Sequence, residues 1–402
     1  MLNPKTRTSA KRPRKIGIDC LFADPRTTFG TWVLAKNLLE QTTLADPETD
    51  YVIFITTRAV RDFNVRRANL RVRVSRWAGM SVVLRLLYQN IVLPLYIRWS
   101  GFSLLHSLGN YGPLFPLVPS VVTVHDLLAQ FDSENTNDLH LRIRALVLDF
   151  LMRGSLKRAR AISAISEFTR RQLVARFPFS SGKVRVIHDA LPAGRSTMTP
   201  DPELVLRKYR VAKPYILTVG LFPPHKNIGL LIEAFAKLKR ERGVPHQLVL
   251  VGNAQWTFRG LTQLVASEGV NAQVVFTGRV GDDELACFYT GADLFVYPSL
   301  MEGFGLPLLE AMANGVPVVC SNAGPLPEVA GEAAIFFDPA DVEDITRAIR
   351  EVLETPQLRA RLIAEGRKQV ERFSFRRTAE EYLKLYREVL GSNESLAGSG
   401  QR

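Results

Sequence analysis

Two glutamates and two glycines lie close together in the segment 299–310, which is the best candidate in the chain for a site of chemistry. Glu302 and Glu310 are separated by seven residues, and Gly303 and Gly305 lie between them. An apolar run precedes the segment and a helix-forming run follows it, so the glycines are predicted to form a strand-to-helix turn. Backbone N–H groups at such a turn are free to bind an anion. The arrangement suits a diphosphate with a sugar at each end.

A bare pair of glutamates at this spacing usually marks a solvated helix face. Here Glu310 is followed by Ala-Met-Ala-Asn-Gly-Val-Pro-Val-Val at 311–319. The combined string resembles the E-x7-E signature of retaining glycosyltransferases of family 4, which have the GT-B fold. The resemblance implies an α/β protein with two Rossmann-like, doubly wound domains that face each other across a cleft. It also implies a C-terminal helix that crosses back to the first domain.

The resemblance assigns roles to the residues of this segment. Glu310 is expected to bind the ribose hydroxyls of a nucleotide sugar, and Glu302 the hydroxyls of the donor sugar. The backbone amides of the turn are expected to stabilise the departing diphosphate. These amides belong to Gly303, Phe304, Gly305 and Leu306.

A second segment, from Gly220 to Asn227, follows a predicted strand and opens a helix. Lys226 at this position can place a compact positive charge on a leaving diphosphate. In the family an arginine commonly precedes this lysine and a second cation commonly follows the glycine, whereas this chain has His225 and Leu221. Charge neutralisation is therefore expected to rest on Lys226, the amides of the turn and a protonated His225.

Other candidate residues lie at the ends of predicted strands. His125 ends a strand where the family places a residue near the donor sugar; it is expected to bind the donor's primary hydroxyl region or to orient the acceptor, with Asp126 holding its ring. A histidine at a strand end is otherwise often a hydrogen-bonded core residue. Gly30 resembles the family's glycine turn near the donor phosphates. Arg279 and Val280 are expected to lie against the nucleotide base through backbone groups.

No cofactor beyond the nucleotide diphosphate sugar, which is a co-substrate, is expected. The sequence contains neither an Asp-x-Asp pair at a strand end nor a cluster of histidines and cysteines, so a catalytic metal is not predicted. Its three cysteines, Cys20, Cys287 and Cys320, are far apart. They are predicted to be reduced packing residues.

The 402-residue chain is long enough for two domains. Short β-rich runs alternate with amphipathic stretches along the chain, as in helices packed on parallel sheets. We expect an acceptor-side domain at 15–195 and a nucleotide-sugar domain at 196–375, followed by a returning helix at 376–390. Residues 1–14 are expected to be a disordered basic arm and 391–402 a polar tail.

Positive charge is concentrated in the first half of the chain. Residues 1–200 hold 29 Lys and Arg against 14 Asp and Glu, a net charge of +15, whereas the rest is near neutral. Arginines and aromatic residues interleave at 58–99, which is typical of membrane interfaces and favours contact with an anionic leaflet. Ordinary solvated arginines are the competing interpretation. The run 80–99 contains too many polar residues to span a membrane.

The sequence thus favours a metal-independent, retaining glycosyltransferase that transfers a hexose, with mannose favoured, to a glycan or lipid-linked acceptor in polysaccharide or glycoconjugate biosynthesis. A cytoplasmic location is expected, peripheral on the cytoplasmic membrane face. One alternative is a catalytically silent GT-B scaffold that binds sugar nucleotides. A nucleic-acid-binding protein would explain the charge but leaves the two glutamates without a purpose, so no nucleic acid is expected.

Overall fold

The structure is a computed structural model that describes residues 14–23, 29–134, 138–192, 200–253 and 257–398. The basic arm predicted at 1–14 therefore lies outside the described residues except for Arg14, and so does the predicted domain boundary between residues 195 and 196. Within the described residues, no helix is long and apolar enough to cross a membrane.

The first half of the chain forms a seven-stranded parallel sheet in the order β3-β2-β1-β4-β5-β6-β7. Its strands are β1 (Lys15–Asp19), β2 (Asp50–Thr56), β3 (Leu70–Ser75), β4 (Leu104–Ser107), β5 (Ser120–Val124), β6 (Ala161–Ala164) and β7 (Val184–Val186). Most of the central strands are buried on both faces, which explains their nearly continuous apolar runs. The helices around this sheet are α1 (Phe29–Ala45), α2 (Val82–Leu87), α3 (Leu93–Trp99), α4 (Leu128–Glu134), α5 (Leu139–Arg158) and α6 (Glu167–Arg176).

The second half forms a six-stranded parallel sheet in the order β10-β9-β8-β11-β12-β13. Its strands are β8 (Tyr215–Val219), β9 (Gln247–Val251), β10 (Val274–Gly278), β11 (Leu294–Tyr297), β12 (Val318–Ser321) and β13 (Ala334–Phe337). Its helices are α7 (Pro202–Lys208), α8 (Ile228–Arg242), α9 (Phe258–Ser267), α10 (Asp282–Gly291), α11 (Leu306–Ala313), α12 (Leu326–Ala330), α13 (Val342–Glu354) and α14 (Pro356–Glu371). The strand order reverses between β8 and β11, and ligands bind at such a switch point in open parallel sheets.

The closing helix α15 (Phe375–Gly398) packs against α1 of the first domain. Two buried tyrosines fix this return. The Tyr386 hydroxyl lies 2.6 Å from Nδ1 of His106, and the Tyr382 hydroxyl lies 3.0 Å from the hydroxyl of Thr123. The helix is longer than the predicted returning helix, because it continues through residues 391–398, which the sequence predicts to be a polar tail.

Candidate active site

One cavity of about 540 Å³ lies between the carboxyl ends of the two sheets. Of the predicted site residues, all except His225 line it. Those that do are Gly30, His125, Gly220, Lys226, Arg279, Val280, Glu302, Gly303, Phe304, Gly305, Leu306 and Glu310. The first domain contributes only two of them, Gly30 and His125. The fold therefore brings together residues that lie up to 280 positions apart in the sequence.

A buried ion pair lies in the wall of this cavity. Glu302 is 8% exposed, and its carboxylate accepts a hydrogen bond from the Lys226 ammonium group, which also donates to the Tyr297 hydroxyl at 2.9 Å. Burial alone would raise the pKa of Glu302, but the charge and hydrogen bond of Lys226 outweigh it and hold that pKa below its usual value. Glu302 is therefore an ionised acceptor for hydroxyl groups at neutral pH.

Glu310 lies on the first turns of α11, and its Oε2 atom accepts a hydrogen bond of 2.7 Å from the Tyr289 hydroxyl. The turn before α11 requires glycine at two positions, for different reasons. Gly305 has a φ of +104°, which side-chain-bearing residues rarely adopt. A Cβ atom on Gly303 would lie 2.4 Å from the carbonyl oxygen of His125 in the first domain. This turn is therefore held close to the other domain.

The His125 ring is oriented by the backbone and not, as predicted, by Asp126. Its Nε2 atom lies 2.6 Å from the carbonyl oxygen of Leu108, so Nε2 carries the proton and Nδ1 is an acceptor. Burial lowers the pKa of the ring, which is therefore neutral at neutral pH. Asp126 instead accepts hydrogen bonds from Asn110 and from the backbone of Leu128.

His225 does not lie among the residues that line the cavity. It is buried, and its Nδ1 atom lies 3.0 Å from Oδ1 of Asp132 on α4, across the cleft. The prediction that a protonated His225 helps to neutralise a diphosphate therefore has no support in this geometry. Leu221, four residues earlier in the chain and at the second position where the family commonly has a cation, does line the cavity.

Gly30 and Gly220 line the cavity with backbone atoms. Gly30 lies in the first turn of α1, and a Cβ atom there would meet no other atom within 4 Å. Gly220 follows β8 with a φ of +148°, and its carbonyl oxygen lies where a Cβ atom of Gly252 would be. Arg279 is exposed and Val280 is half-buried after β10, and both line the cavity.

Asp189 is a lining residue that the sequence analysis does not single out. It is 3% exposed, and its Oδ1 atom accepts a hydrogen bond of 2.8 Å from the backbone N–H of the next residue, Ala190. Burial raises its pKa to about 7, although this hydrogen bond opposes the rise. No local pattern in the sequence identifies Asp189 as a site residue, because its raised pKa comes from burial in the assembled cleft.

Three side chains join the two domains beside the cavity. The carboxylate of Glu328 on α12 accepts hydrogen bonds from the backbone N–H groups of Glu167 and Phe168, at 2.8 and 3.2 Å, and contacts Nε2 of His188 at 2.8 Å. The Ser166 hydroxyl donates to the carbonyl oxygen of Gly303 at 3.0 Å. The amino end of α6 is thus attached to the second domain by Glu328 and to the glycine turn by Ser166.

The described residues contain no group of three or more His, Cys, Asp or Glu side chains that could hold a metal ion. All three cysteines are free and buried.

The fold and the cavity define a GT-B glycosyltransferase, and comparison with known proteins supports this class. The structure superposes on sucrose-phosphate synthase from Thermosynechococcus elongatus with a TM-score of 0.73 at 20% identity, covering 94% of this chain and 100% of the other. It also superposes on WaaG, a glycosyltransferase involved in lipopolysaccharide biosynthesis, with a TM-score of 0.67 at 14% identity, covering 92% and 99%. The predicted α/β class and GT-B architecture are confirmed.

The chain belongs to glycosyltransferase family 4. Residues 42–193 match the family model "Glycosyltransferase Family 4", and residues 207–369 match "Glycosyl transferases group 1". O-antigen chain mannosyltransferase B of Escherichia coli is 33% identical over 287 residues, which are 69% of this chain and 73% of the relative. The serotype-specific mannosyltransferase WbdA of the same organism is 32% identical over 291 residues, 70% of this chain but only 35% of that longer protein.

Proposed function

We propose that this glycosyltransferase is a metal-independent, retaining enzyme that transfers a hexose from a nucleotide diphosphate sugar to a glycan or lipid-linked acceptor. The observation that carries the proposal is the single cavity that holds Lys226, Glu302, Glu310 and the glycine turn between the two sheets. The names of the related mannosyltransferases support mannose as the sugar, and polysaccharide or glycoconjugate biosynthesis as the setting.

Each group has a role that its surroundings suit. Glu310 binds the ribose hydroxyls, and Glu302, which is ionised, accepts hydrogen bonds from the donor sugar. The Lys226 ammonium group exchanges part of its contact with Glu302 for the departing diphosphate, whose charge the amides of Gly303 to Leu306 also stabilise. These groups supply the positive potential that a metal ion supplies elsewhere, so we expect turnover in the presence of a chelator.

His125 acts on the acceptor side of the reaction or at the donor's primary hydroxyl. Because its Nε2 proton is committed to the Leu108 carbonyl oxygen, the ring offers Nδ1 as an acceptor for a hydroxyl group. It orients a hydroxyl and adds no positive charge to the diphosphate.

A specific observation favours a second candidate function, a silent scaffold that binds sugar nucleotides. His225 occupies the position of the family's arginine and contacts Asp132, and Leu221 occupies the position of the second cation, so the site has two cations fewer than is common in the family. Both candidates predict binding of a nucleotide sugar, and only the enzyme turns it over.

The test is a thermal-shift panel of UDP-, GDP- and ADP-sugars on the unmodified chain and on Glu310→Gln. The matched control is Glu371→Gln, on the exposed end of α14. We expect one nucleotide class to raise the unfolding temperature of the chain and of the control, and to have little effect on Glu310→Gln. A turnover assay with EDTA, and NMR of the anomeric product, then test metal independence and retention. The absence of a shift with every nucleotide contradicts the proposal.

A further inference from the structure

Exposed apolar side chains are concentrated on one part of the first domain. Of the 26 large apolar side chains that are exposed in the described residues, 17 lie between Trp77 and Phe150, whereas the second domain from Tyr215 onward has three. Soluble surfaces rarely gather apolar groups in this way unless they contact something. The arrangement therefore requires an explanation that the active site does not provide.

One contributing element is the helical run 82–99, which consists of α2, a π-helical turn (Tyr88–Val92) and α3. Five of its seven exposed apolar side chains recur every four residues and so lie along one side of the run. The side chain of Trp99 at its end is 80% exposed. The members of this stripe are Val83, Leu87, Ile91, Leu95 and Trp99.

The second element is α5, which has two apolar faces. One face packs on the sheet through Leu151, Met152 and Leu156. The opposite face is exposed, with side chains at the spacing of one helix face. The members of this exposed face are Leu139, Ile143, Leu146, Val147 and Phe150.

The two elements cover the same face of the seven-stranded sheet. The run 82–99 packs on Leu105 of β4, and α5 packs on Val122 of β5. Because Ser107 pairs with Val122, Leu105, two residues earlier, points to the same face as Val122. Leu114 links the two elements: its N–H donates to Asn90 at 2.8 Å, and a Cβ atom on Gly154 of α5 would lie 2.5 Å from its side chain.

The charges around this surface are mainly positive. Residues 58–99 contain nine arginines and a single acidic residue, Asp62. On α5, Arg142 and Arg144 are exposed beside the apolar face, and the acidic Asp149 is paired with Arg176 at 2.5 Å. A second copy of this surface would bring arginines against arginines, which disfavours self-association. An anionic bilayer complements both the apolar side chains and the arginines.

We propose that the run 82–99 and α5 together form a docking surface for a bilayer that contains anionic lipids. The apolar side chains enter the interfacial region, and the arginines contact the head groups. The surface is close to the active site, since α5 follows α4, whose Leu128 lines the cavity and whose Asp132 contacts the second domain. The inference rests on the proposed function for its purpose, which is to bring the cleft to a lipid-linked acceptor.

The test is cosedimentation of the full chain with phosphatidylglycerol–phosphatidylcholine vesicles and with vesicles of phosphatidylcholine alone, without any nucleotide sugar. We expect the affinity for the anionic vesicles to be about tenfold higher or more, and to fall with added salt. The double variant Leu146→Glu/Phe150→Glu and the single variant Val83→Glu should each lose about tenfold of this affinity. Leu44→Glu, which changes a 63% exposed side chain on α1, is the matched control and should bind like the unmodified chain.

Equal binding by the variants and the unmodified chain, or no binding by the unmodified chain, overturns the inference. So does a dimer in light scattering that these variants abolish, because a second copy would then occupy the surface. Unfolding temperatures of the variants exclude misfolding as a cause. Since the vesicle assay uses no nucleotide sugar, a negative result leaves the proposed transferase activity untouched, and turnover with a soluble acceptor tests that activity separately.

Discussion

Lys226 is neutralised by a carboxylate before any ligand binds. Its ammonium group is shared between Glu302 and Tyr297, so the site stores a cation without leaving a buried charge unpaired. A diphosphate would compete for this ammonium group, which would release Glu302 for the hydroxyls of the sugar. Under the proposed function, donor binding and the release of Glu302 would thus be coupled through the Lys226 side chain.

We expect Lys226→Ala to lower kcat by about 100-fold or more, because it removes the cation that faces the developing charge on the diphosphate. Lys226→Arg keeps the charge and should lose less. Steady-state kinetics with the donor found in the thermal-shift panel provide the measurement. Lys384→Ala, an exposed lysine on α15, is the control and should leave kcat unchanged.

Lys226→Ala also leaves Glu302 buried without its partner, which costs about 3–5 kcal/mol of stability. The double variant Lys226→Met/Glu302→Gln removes both charges and should regain much of that stability without regaining activity. Recovery of turnover in the double variant would contradict the role given to Lys226.

Asp189 makes the stability of the protein depend on pH. Burial raises its pKa from 3.8 to about 7, so the folded chain keeps a proton that the unfolded chain releases. The contribution of protonated Asp189 to the free energy of unfolding is complete below about pH 4 and is lost as the pH rises through about 7. Asp189→Asn should therefore be more stable than the unmodified chain at pH 8, by at most about 4 kcal/mol, and nearly equal at pH 4.

Urea denaturation midpoints between pH 4 and pH 8 measure this effect. Asp62→Asn, an exposed aspartate, is the control and should follow the unmodified chain. Parallel curves for Asp189→Asn and the unmodified chain would show that the carboxyl is ionised in the folded protein.

The sequence predicts those site residues that have a local pattern. Glu302, Glu310 and the glycine turn belong to one short string, and Lys226 belongs to another. The pairing of Lys226 with Glu302 spans 76 residues, and the contact of His225 with Asp132 spans 93; no local spacing encodes either one. The shifted pKa of Asp189 has the same origin, because burial is a property of the assembled cleft.

At the scale of elements, the turn before α11 connects the two halves of the site. Its residues line the cavity, and its Gly303 carbonyl oxygen accepts a hydrogen bond from Ser166 of the other domain. The turn therefore lies in the wall of the cavity and also contacts the other domain; under the proposed function its amides would bind the diphosphate.

We expect Gly303→Ala to separate the turn from the first domain, because its Cβ atom would lie 2.4 Å from the His125 carbonyl oxygen. Overpacking of this kind costs about 1–3 kcal/mol. The unfolding temperature and kcat/KM should both fall. Gly182→Ala, where a Cβ atom meets nothing within 4 Å, is the control; if the two variants behave alike, the close approach of the turn has no functional importance.

Strands and helices with clear periodicity follow from the sequence, and their ends depend on contacts that the sequence does not display. The sequence predicts a helix at 141–157, whereas α5 begins at Leu139, because Asp138 caps it by accepting a hydrogen bond of 2.8 Å from the His140 N–H. The sequence predicts a strand from Val316, whereas β12 begins at Val318, because Pro317 has no N–H to donate to a neighbouring strand. The second, exposed apolar face of α5 is not predicted from the sequence either, because helix periodicity does not show which apolar side chains the sheet covers.

At the scale of the whole molecule, Glu328 acts as a clamp between the domains. Burial opposes its ionisation, but hydrogen bonds from His188 and from the amides of Glu167 and Phe168 hold its pKa below the ordinary 4.5. The stabilisation that ionised Glu328 gives the folded protein is therefore present above about pH 4.5 and is lost as the pH falls below that value. Ionised Glu328 also suits the amino end of α6, where a negative charge is favoured.

We expect Glu328→Ala to open the cleft, because the two backbone N–H groups of α6 would lose their acceptor in the second domain. Small-angle X-ray scattering at pH 7 should show a larger radius of gyration, and donor affinity should fall a few-fold because the closed form becomes rarer. Glu332→Ala, an exposed glutamate close to Glu328 in the chain, is the control. An unchanged radius of gyration in Glu328→Ala would mean that other contacts hold the domains together.

The return of α15 to the first domain has a consequence for synthesis on the ribosome. Tyr382, Leu383, Tyr386 and Val389 of α15 belong to the same buried apolar cluster as α1, yet they are translated only after the entire second domain. At a synthesis rate of roughly 5–20 residues per second, the first domain spends many seconds with this part of its core uncovered. A nascent chain therefore exposes apolar surface of the first domain, to which chaperones can bind, until α15 is made. The helix α15 thus completes the domain that began to fold first.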